Sequence, residues 1–195
     1  MLKQITEIPA EVYALISSLV SLAIIAAKKY RAKKKKIRFS EAIGELYETL
    51  EIMKDIIIET SADRVLILSG HNSGGIPRTT SPFYVSVMHY IYRDETKSRA
   101  ARDYKKLCVD AHYINMLIHA FSVGHYHFNT KAEADCQLST YYKAEQITDS
   151  HIFFLGIEGN SMFFLSVAKT GGQFSSEDVT KIKLKSNLIA DNIKA

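Results

Sequence analysis

At 195 residues the chain is long enough for one domain with a sizeable core plus an appendage. Its formal charge of +4 conceals a split: eight of the 25 basic residues fall between 28 and 38 with no acid among them, leaving 17 basic against 21 acidic residues elsewhere. A globular part of net negative charge is a poor binder of polyanions, and two cysteines without CxxC spacing, Cys108 and Cys136, give neither a disulfide framework nor a zinc ribbon and point to a reducing compartment.

The leader "MLKQITEIPAE" (1–11) has one Lys against two Glu and so lacks the basic start of a cleavable signal peptide. The uncharged run "VYALISSLVSLAIIAA" (12–27) follows; with Ile8 and Pro9 ahead of it, it approaches the ~20 residues that a bilayer requires. It is apolar on all sides and ends in charges that a core would not accept, which predicts a single transmembrane helix. The basic juxtamembrane segment 28–38 (Lys28, Lys29, Arg31, Lys33, Lys34, Lys35, Lys36 and Arg38) then reads as an orientation flag that also meets anionic lipid headgroups, at ~1 kcal/mol per basic residue. The expected location is the inner or plasma membrane, single-pass, with the C-terminal domain cytoplasmic. Nucleic-acid binding by this arm would need interleaved aromatics or a recognisable fold, and Tyr30 alone supplies neither.

Residues 39–60 predict a linker or dimerisation helix. Phe39, Ile43, Leu46, Leu50, Met53 and Ile57 recur at spacings of 4, 3, 4, 3 and 4, a heptad seam that argues for a homodimer, although a helix face lying on its own domain gives the same pattern.

From 61 onward strands and helices alternate. "DRVLILSG" (63–70) and "FYVSVMHYIYR" (83–93) are β-rich runs around the loop "GHNSGGIPRTTSP". The segment 101–122 reads as helical, with Tyr104, Leu107, Cys108, Ala111, Ile114, Ile118 and Phe121 on one stripe. "GHYHFNT" (124–130) reads as a short strand, 131–147 as a small helix and loop, and "HIFFLGIEGNSMFFLSVAK" (151–169) as a hairpin turning at Gly159. Ser175 and Asp178 open a terminal helix with Val179, Ile182, Ile189 and Ile193 on one face.

This order predicts an α+β fold with an antiparallel sheet flanked by N- and C-terminal helices, behind the transmembrane helix. The stretch "SHIFFLGIEGNSMFFLSVAKTGGQFSSEDVTKIKLKSNLIADNIK" (150–194), with "INMLIHAFSVGHYHFN" before it, resembles a GAF-like (GAF/PAS-type) domain over roughly 40–194. The pattern departs from that family at Phe163 and Phe164, where a glycine is common, and in lacking the NKFDE-type signature of cyclic-nucleotide binders. The resemblance implies terminal helices on one sheet face, commonly a dimer interface, and a small-molecule pocket, sometimes vestigial, on the other. Residues 61–195 form the GAF-like domain on this reading.

Candidate pocket residues are His71, Asn72, Ser73, Tyr84, His125 and His127. "SGHNSGG" (69–75) offers backbone amides that could cradle an anion or merely connect two strands, and it matches neither a P-loop nor a dinucleotide fingerprint. His125 and His127 share a strand face, and His112 and His119 flank Asn115 on the helix; imidazoles could converge on a metal, but spacing alone assigns none, and no metal or cofactor is expected. No catalytic set emerges, so no enzyme activity is expected. The leading expectation is a membrane-tethered sensory or protein-interaction module without an output domain, served by a small-molecule ligand or a protein partner. The alternatives are a phage-type membrane effector, holin-like or host-interacting, with a soluble regulatory domain, and a basic-arm nucleic-acid-associated protein.

Overall fold

The structure of the protein, a computed structural model, describes residues 10–72, 81–94, 104–132 and 135–194, with the side chains of 10–27, 31–36 and 194 outside the description. Its elements are helix α1 (Ala10–Glu59), strands β1 (Arg64–His71), β2 (Tyr84–Tyr92) and β3 (Leu107–Cys108), helix α2 (Ala111–Val123), strand β4 (His125–Asn129), helix α3 (Gln137–Ala144), strands β5 (Ile147–Glu158) and β6 (Ser161–Thr170), and helix α4 (Ser176–Lys194). The chain divides into two units, Met1–Glu45 and Leu46–Ala195.

In the first unit, Lys28, Lys29, Tyr30, Ile37, Arg38, Phe39 and Ile43 are exposed on α1. Among the described residues no helix is long and apolar enough to cross a membrane. The side chains of the run read as the membrane span, 12–27, lie outside those residues, as do those of Arg31 and Lys33 to Lys36.

The second unit is an antiparallel sheet in the order β3-β2-β1-β6-β5-β4. Strand β1 sits inside it, paired with β2 and β6, and its residues alternate strictly between two cores, as a pleated strand must. Val65 and Ile67 face a layer built by Met53, Ile56 and Ile57 of α1 and Ile182 and Ile189 of α4. Leu66 and Leu68 face the opposite layer, built by Tyr113, Met116, Leu117 and Ala120 of α2 and Leu138 and Tyr142 of α3. Each fully buried aliphatic side chain contributes about 1.5–3 kcal/mol, so both layers hold the sheet.

The heptad seam therefore divides. Met53 and Ile57 are buried on their own sheet and Leu50 packs beside them, whereas Phe39 and Ile43 are 69 % and 50 % exposed. The end of α1 is also tied electrostatically. The Lys185 ammonium on α4 reaches Asp55 at 3.2 Å and Glu59 at 3.0 Å, and Ser61 donates to Asp178 at 2.8 Å in the first turn of α4.

The 101–122 helix is corrected at both its start and its face. Lys106 adopts φ 57°, Leu107 and Cys108 pair with Val85 and Tyr84 as β3, and the helix begins only after Asp110. The Asp110 carboxylate accepts the Tyr113 amide at 2.8 Å, an N-cap that fixes this start. Counting from that cap buries Tyr113, Met116, Leu117 and Ala120 and leaves Ile118 and Phe121 about half exposed, so the stripe read across 101–122 had the wrong phase. β5 begins at Ile147, ahead of the hairpin start expected at 151; the other expected strands and α4 lie within a residue of their segments, and Gly159 turns the hairpin at φ 57°, a conformation that glycine adopts without Cβ strain.

Candidate functional site

The layer between the sheet and α2 and α3 is filled by large side chains: Tyr104, Tyr113, Tyr142, Phe128 and Phe164 are all fully buried. Phe164 meets Phe154 edge to face at 5.7 Å, so the position where glycine is common in the resembled pattern here adds bulk to the interior. At one end of this layer the packing opens into a cavity of about 180 Å³, lined by Asp63, Arg64, Tyr92, Arg93, Asp94, Glu145, Ile147, Ala168 and Thr170.

Arg64 dominates its inner wall. As the first residue of β1 it has the same phase as Leu66 and Leu68, which sends its side chain into the core, where it is 2 % exposed. The guanidinium pairs with the Glu145 carboxylate, which follows the last turn of α3. It also lies 5.1 Å from the Tyr142 ring centroid and 6.0 Å from that of Tyr104, a cation–π arrangement on both sides. Burial opposes the guanidinium charge, but the Tyr104, Tyr142 and Glu145 groups outweigh it, and the Arg64 pKa rises above its ordinary value. Burial pushes the Tyr104 phenol well up, so it remains a neutral hydroxyl.

Two buried polar groups around the Arg64 guanidinium are left over. The Nε of Arg64 and the hydroxyl of Tyr104 are buried and have no hydrogen-bond partner among the described residues. Orphaned buried donors are rare, because each forfeits its hydration without replacement. Tyr142, by contrast, is satisfied through Ser150 at 3.0 Å.

The outer wall reaches α1. Arg93, just beyond β2, donates from Nε to the Ala62 carbonyl at 3.1 Å and from Nη2 to the Ile57 and Thr60 carbonyls, the latter at 2.9 Å. These groups lie at the C-terminal end of α1, where carbonyls lack helical partners and a cation is favoured. Arg93 also stands 3.6 Å from Asp63, whose carboxylate accepts the backbone and hydroxyl of Thr170 at 2.7 and 2.8 Å.

The residues expected to form the pocket are distributed elsewhere. His71 lies at the far end of β1, 3.0 Å from the Ser86 hydroxyl and 6.1 Å, centroid to centroid, from Tyr84. Asn72 donates to Ser81 at 3.2 Å, and Ser73 lies outside the described residues. His125 and His127 are on β4, at the other edge of the sheet and on its α1/α4 face. They join His151 there: His125 Nε2 is 2.7 Å from His151 Nδ1, His127 and His151 stack at 4.5 Å, and His127 Nε2 is 2.6 Å from the Asp149 carboxylate. Burial, then the neighbouring His127 and His125, push the His151 pKa down to about 4.

Sequence reasoning missed Arg64 and Glu145. The signal was available: in "DRVLILSG" the arginine shares the phase of Leu66 and Leu68, so it had to enter a core or end the strand. Asp149 and His151 were equally legible once "GHYHFNT" was paired with "TDSHIF", because cross-strand register puts His127 opposite His151.

No protein-family model matches this sequence, and no curated protein matches it significantly. Solved structures do resemble it. The GAF domain region of a candidate membrane protein from Geobacter sulfurreducens PCA superposes with a TM-score of 0.56 at 11% identity, covering 80% of this chain and 97% of that one. The photoproduct state of GAF3 from Slr1393 of Synechocystis sp. PCC6803 gives 0.52 at 12% identity, covering 76% and 92%. The GAF domain of a two-component sensor histidine kinase from Bacillus halodurans gives 0.51 at 11% identity, covering 74% and 92%. At these identities the likeness is one of fold, and the fold is GAF-like.

Proposed function

We propose that the chain is a membrane-tethered, GAF-like sensory module in which a small polar molecule binds in the Arg64 cavity and alters the end of α1. One observation carries this reading: a single residue, Arg93, both lines the cavity and holds the Ile57, Thr60 and Ala62 carbonyls. An occupant that competes for the Arg93 guanidinium would change the capping of that helix end, so binding and conformation share one side chain.

At about 180 Å³ the cavity lies below the roughly 300–1,000 Å³ of sites for drug-sized ligands. It suits a compact molecule with hydrogen-bond acceptors for the arginines on its wall, Arg64 and Arg93. Tethering is supported by the uncharged run 12–27 and the eight basic residues that follow it, and a GAF-bearing neighbour is itself described as a candidate membrane protein. On this reading the second unit lies on the cytoplasmic side, and exposed Phe39 and Ile43 are available for pairing two copies.

The test is a ligand-observed NMR screen of small polar metabolites against the full chain in detergent, repeated with Arg93→Met, which removes a guanidinium from the cavity wall. The expected outcome is at least one acceptor-bearing compound whose affinity falls about tenfold in the variant, the loss of one hydrogen bond at ~1.4 kcal/mol. Compounds that bind equally to both proteins, or no binders at all, would contradict the site.

A further inference from the structure

The sheet face opposite the Arg64 cavity carries a polar cluster within a mostly apolar layer. His127 of β4 stands opposite His151 of β5, and Asp149 lies two residues before His151 on the same face. One nitrogen from each imidazole and one oxygen of the carboxylate lie within 4.8 Å of one another. We propose that His127, Asp149 and His151 form a binding site for a divalent transition-metal ion, zinc or cobalt in preference to magnesium or calcium, with further coordination open to solvent beside His127.

The donor set argues for this class, because two imidazoles and one carboxylate suit zinc and its neighbours, whereas magnesium and calcium take oxygen ligands. The spacing is close to what such an ion needs. Metal bonds of about 2.0–2.2 Å in a tetrahedral site put ligand atoms roughly 3.4 Å apart. Here His127 Nε2 is 2.6 Å from Asp149 Oδ1 and His151 Nε2 is 3.7 Å from Oδ2, and with one donor atom from each residue all within 4.8 Å, side-chain turns of an ångström or so bring the three to that value.

The supporting shell is already in place. Asp149 is 1 % exposed and accepts the Phe174 amide at 2.9 Å, which fixes its second oxygen. His151 Nδ1 is held by His125 at 2.7 Å, which leaves Nε2 facing Asp149, and the Phe153 and Phe174 rings wall the histidines in. Orientation of a ligating imidazole through its other nitrogen is the usual device in metal sites. Charge points the same way. Among the described residues the ion-pair partners of the buried Asp149 are the two histidines alone, and Lys169, its cross-strand neighbour, turns its ammonium to Ser61 and the Gln173 carbonyl. His127 is 46 % exposed at the side chain, which gives an ion a route in and a free coordination position.

The experiment is a cobalt titration of the EDTA-treated full chain followed by visible absorption, with zinc calorimetry in parallel, on the wild type and on His127→Ala. The expected result is one equivalent bound with visible cobalt bands, weakened tenfold or more in the variant. A wild type that binds neither ion, or a variant that binds as well as the wild type, overturns the site. Nitrogen-15 NMR of the histidine rings keeps the question open to refutation if the variant fails to fold. One equivalent of zinc should shift the ring nitrogens of His127 and His151 in the wild type, and unmoved resonances there reject the assignment.

Discussion

Arg64 and Glu145 show what a single misplaced partner costs. Both side chains are almost wholly buried, and each is the other's only ion-pair partner among the described residues. Removing one member of such a pair leaves an uncompensated charge in a low-dielectric layer, at about 3–5 kcal/mol, whereas replacing both with apolar groups is often neutral or better. Glu145→Gln should therefore lower the urea midpoint strongly, and the double variant Arg64→Met with Glu145→Leu should recover most of the loss. A double variant as unstable as the single one would mean that the tyrosine contacts, not the ion pair, hold this corner. On the proposed reading, this buried pair beside a cavity is kept for binding. An apolar core would have been the simpler way to hold β1 against α3.

At the scale of elements, α1 illustrates how one periodic pattern can serve two environments. The spacing from Phe39 to Ile57 is uniform, yet Met53 and Ile57 are consumed by the sheet and by α4 while Phe39 and Ile43 are exposed. Met53→Ala should cost about 2–5 kcal/mol by opening a cavity in that layer, and Phe39→Ala should stay within about 0.5 kcal/mol, both read by urea unfolding. Equal costs would mean that Phe39 is buried as well. Periodicity made the seam legible but could not say which residues it faced, since a helix on its own domain and a helix on a second copy bury the same stripe. The hairpin and α4 were legible because local chemistry fixes them: Gly159 at the turn, and the Ser175 hydroxyl oxygen accepting the Asp178 amide at 3.0 Å. The start of α2 was not, because the decisive features are the left-handed backbone at Lys106 and a bond from Gln137 to the Cys108 carbonyl, 29 residues away. The candidate site failed to show for the same reason. Arg64, Arg93 and Glu145 are far apart in sequence, and only sheet register and the end of α3 bring them to one cavity.

For the molecule as a whole, the proposal joins a GAF-like unit to a membrane-directed N-terminal segment. Substituting Lys33, Lys34, Lys35 and Lys36 with Glu should reduce membrane retention or invert orientation, read by fractionation and reporter fusions, and leave the second unit folded by circular dichroism. Unchanged retention and orientation would favour a basic arm with another purpose. On this proposal occupancy of the cavity reaches α1 through Arg93, which hydrogen exchange on the full chain can follow. With a compound identified by the screen, amide exchange over residues 53–60 should change in the wild type and remain unchanged in Arg93→Met, while the β5 and β6 amides stay protected in both. A compound that binds in the cavity yet leaves residues 53–60 unaltered in the wild type, or alters them equally in Arg93→Met, would rule out coupling through Arg93.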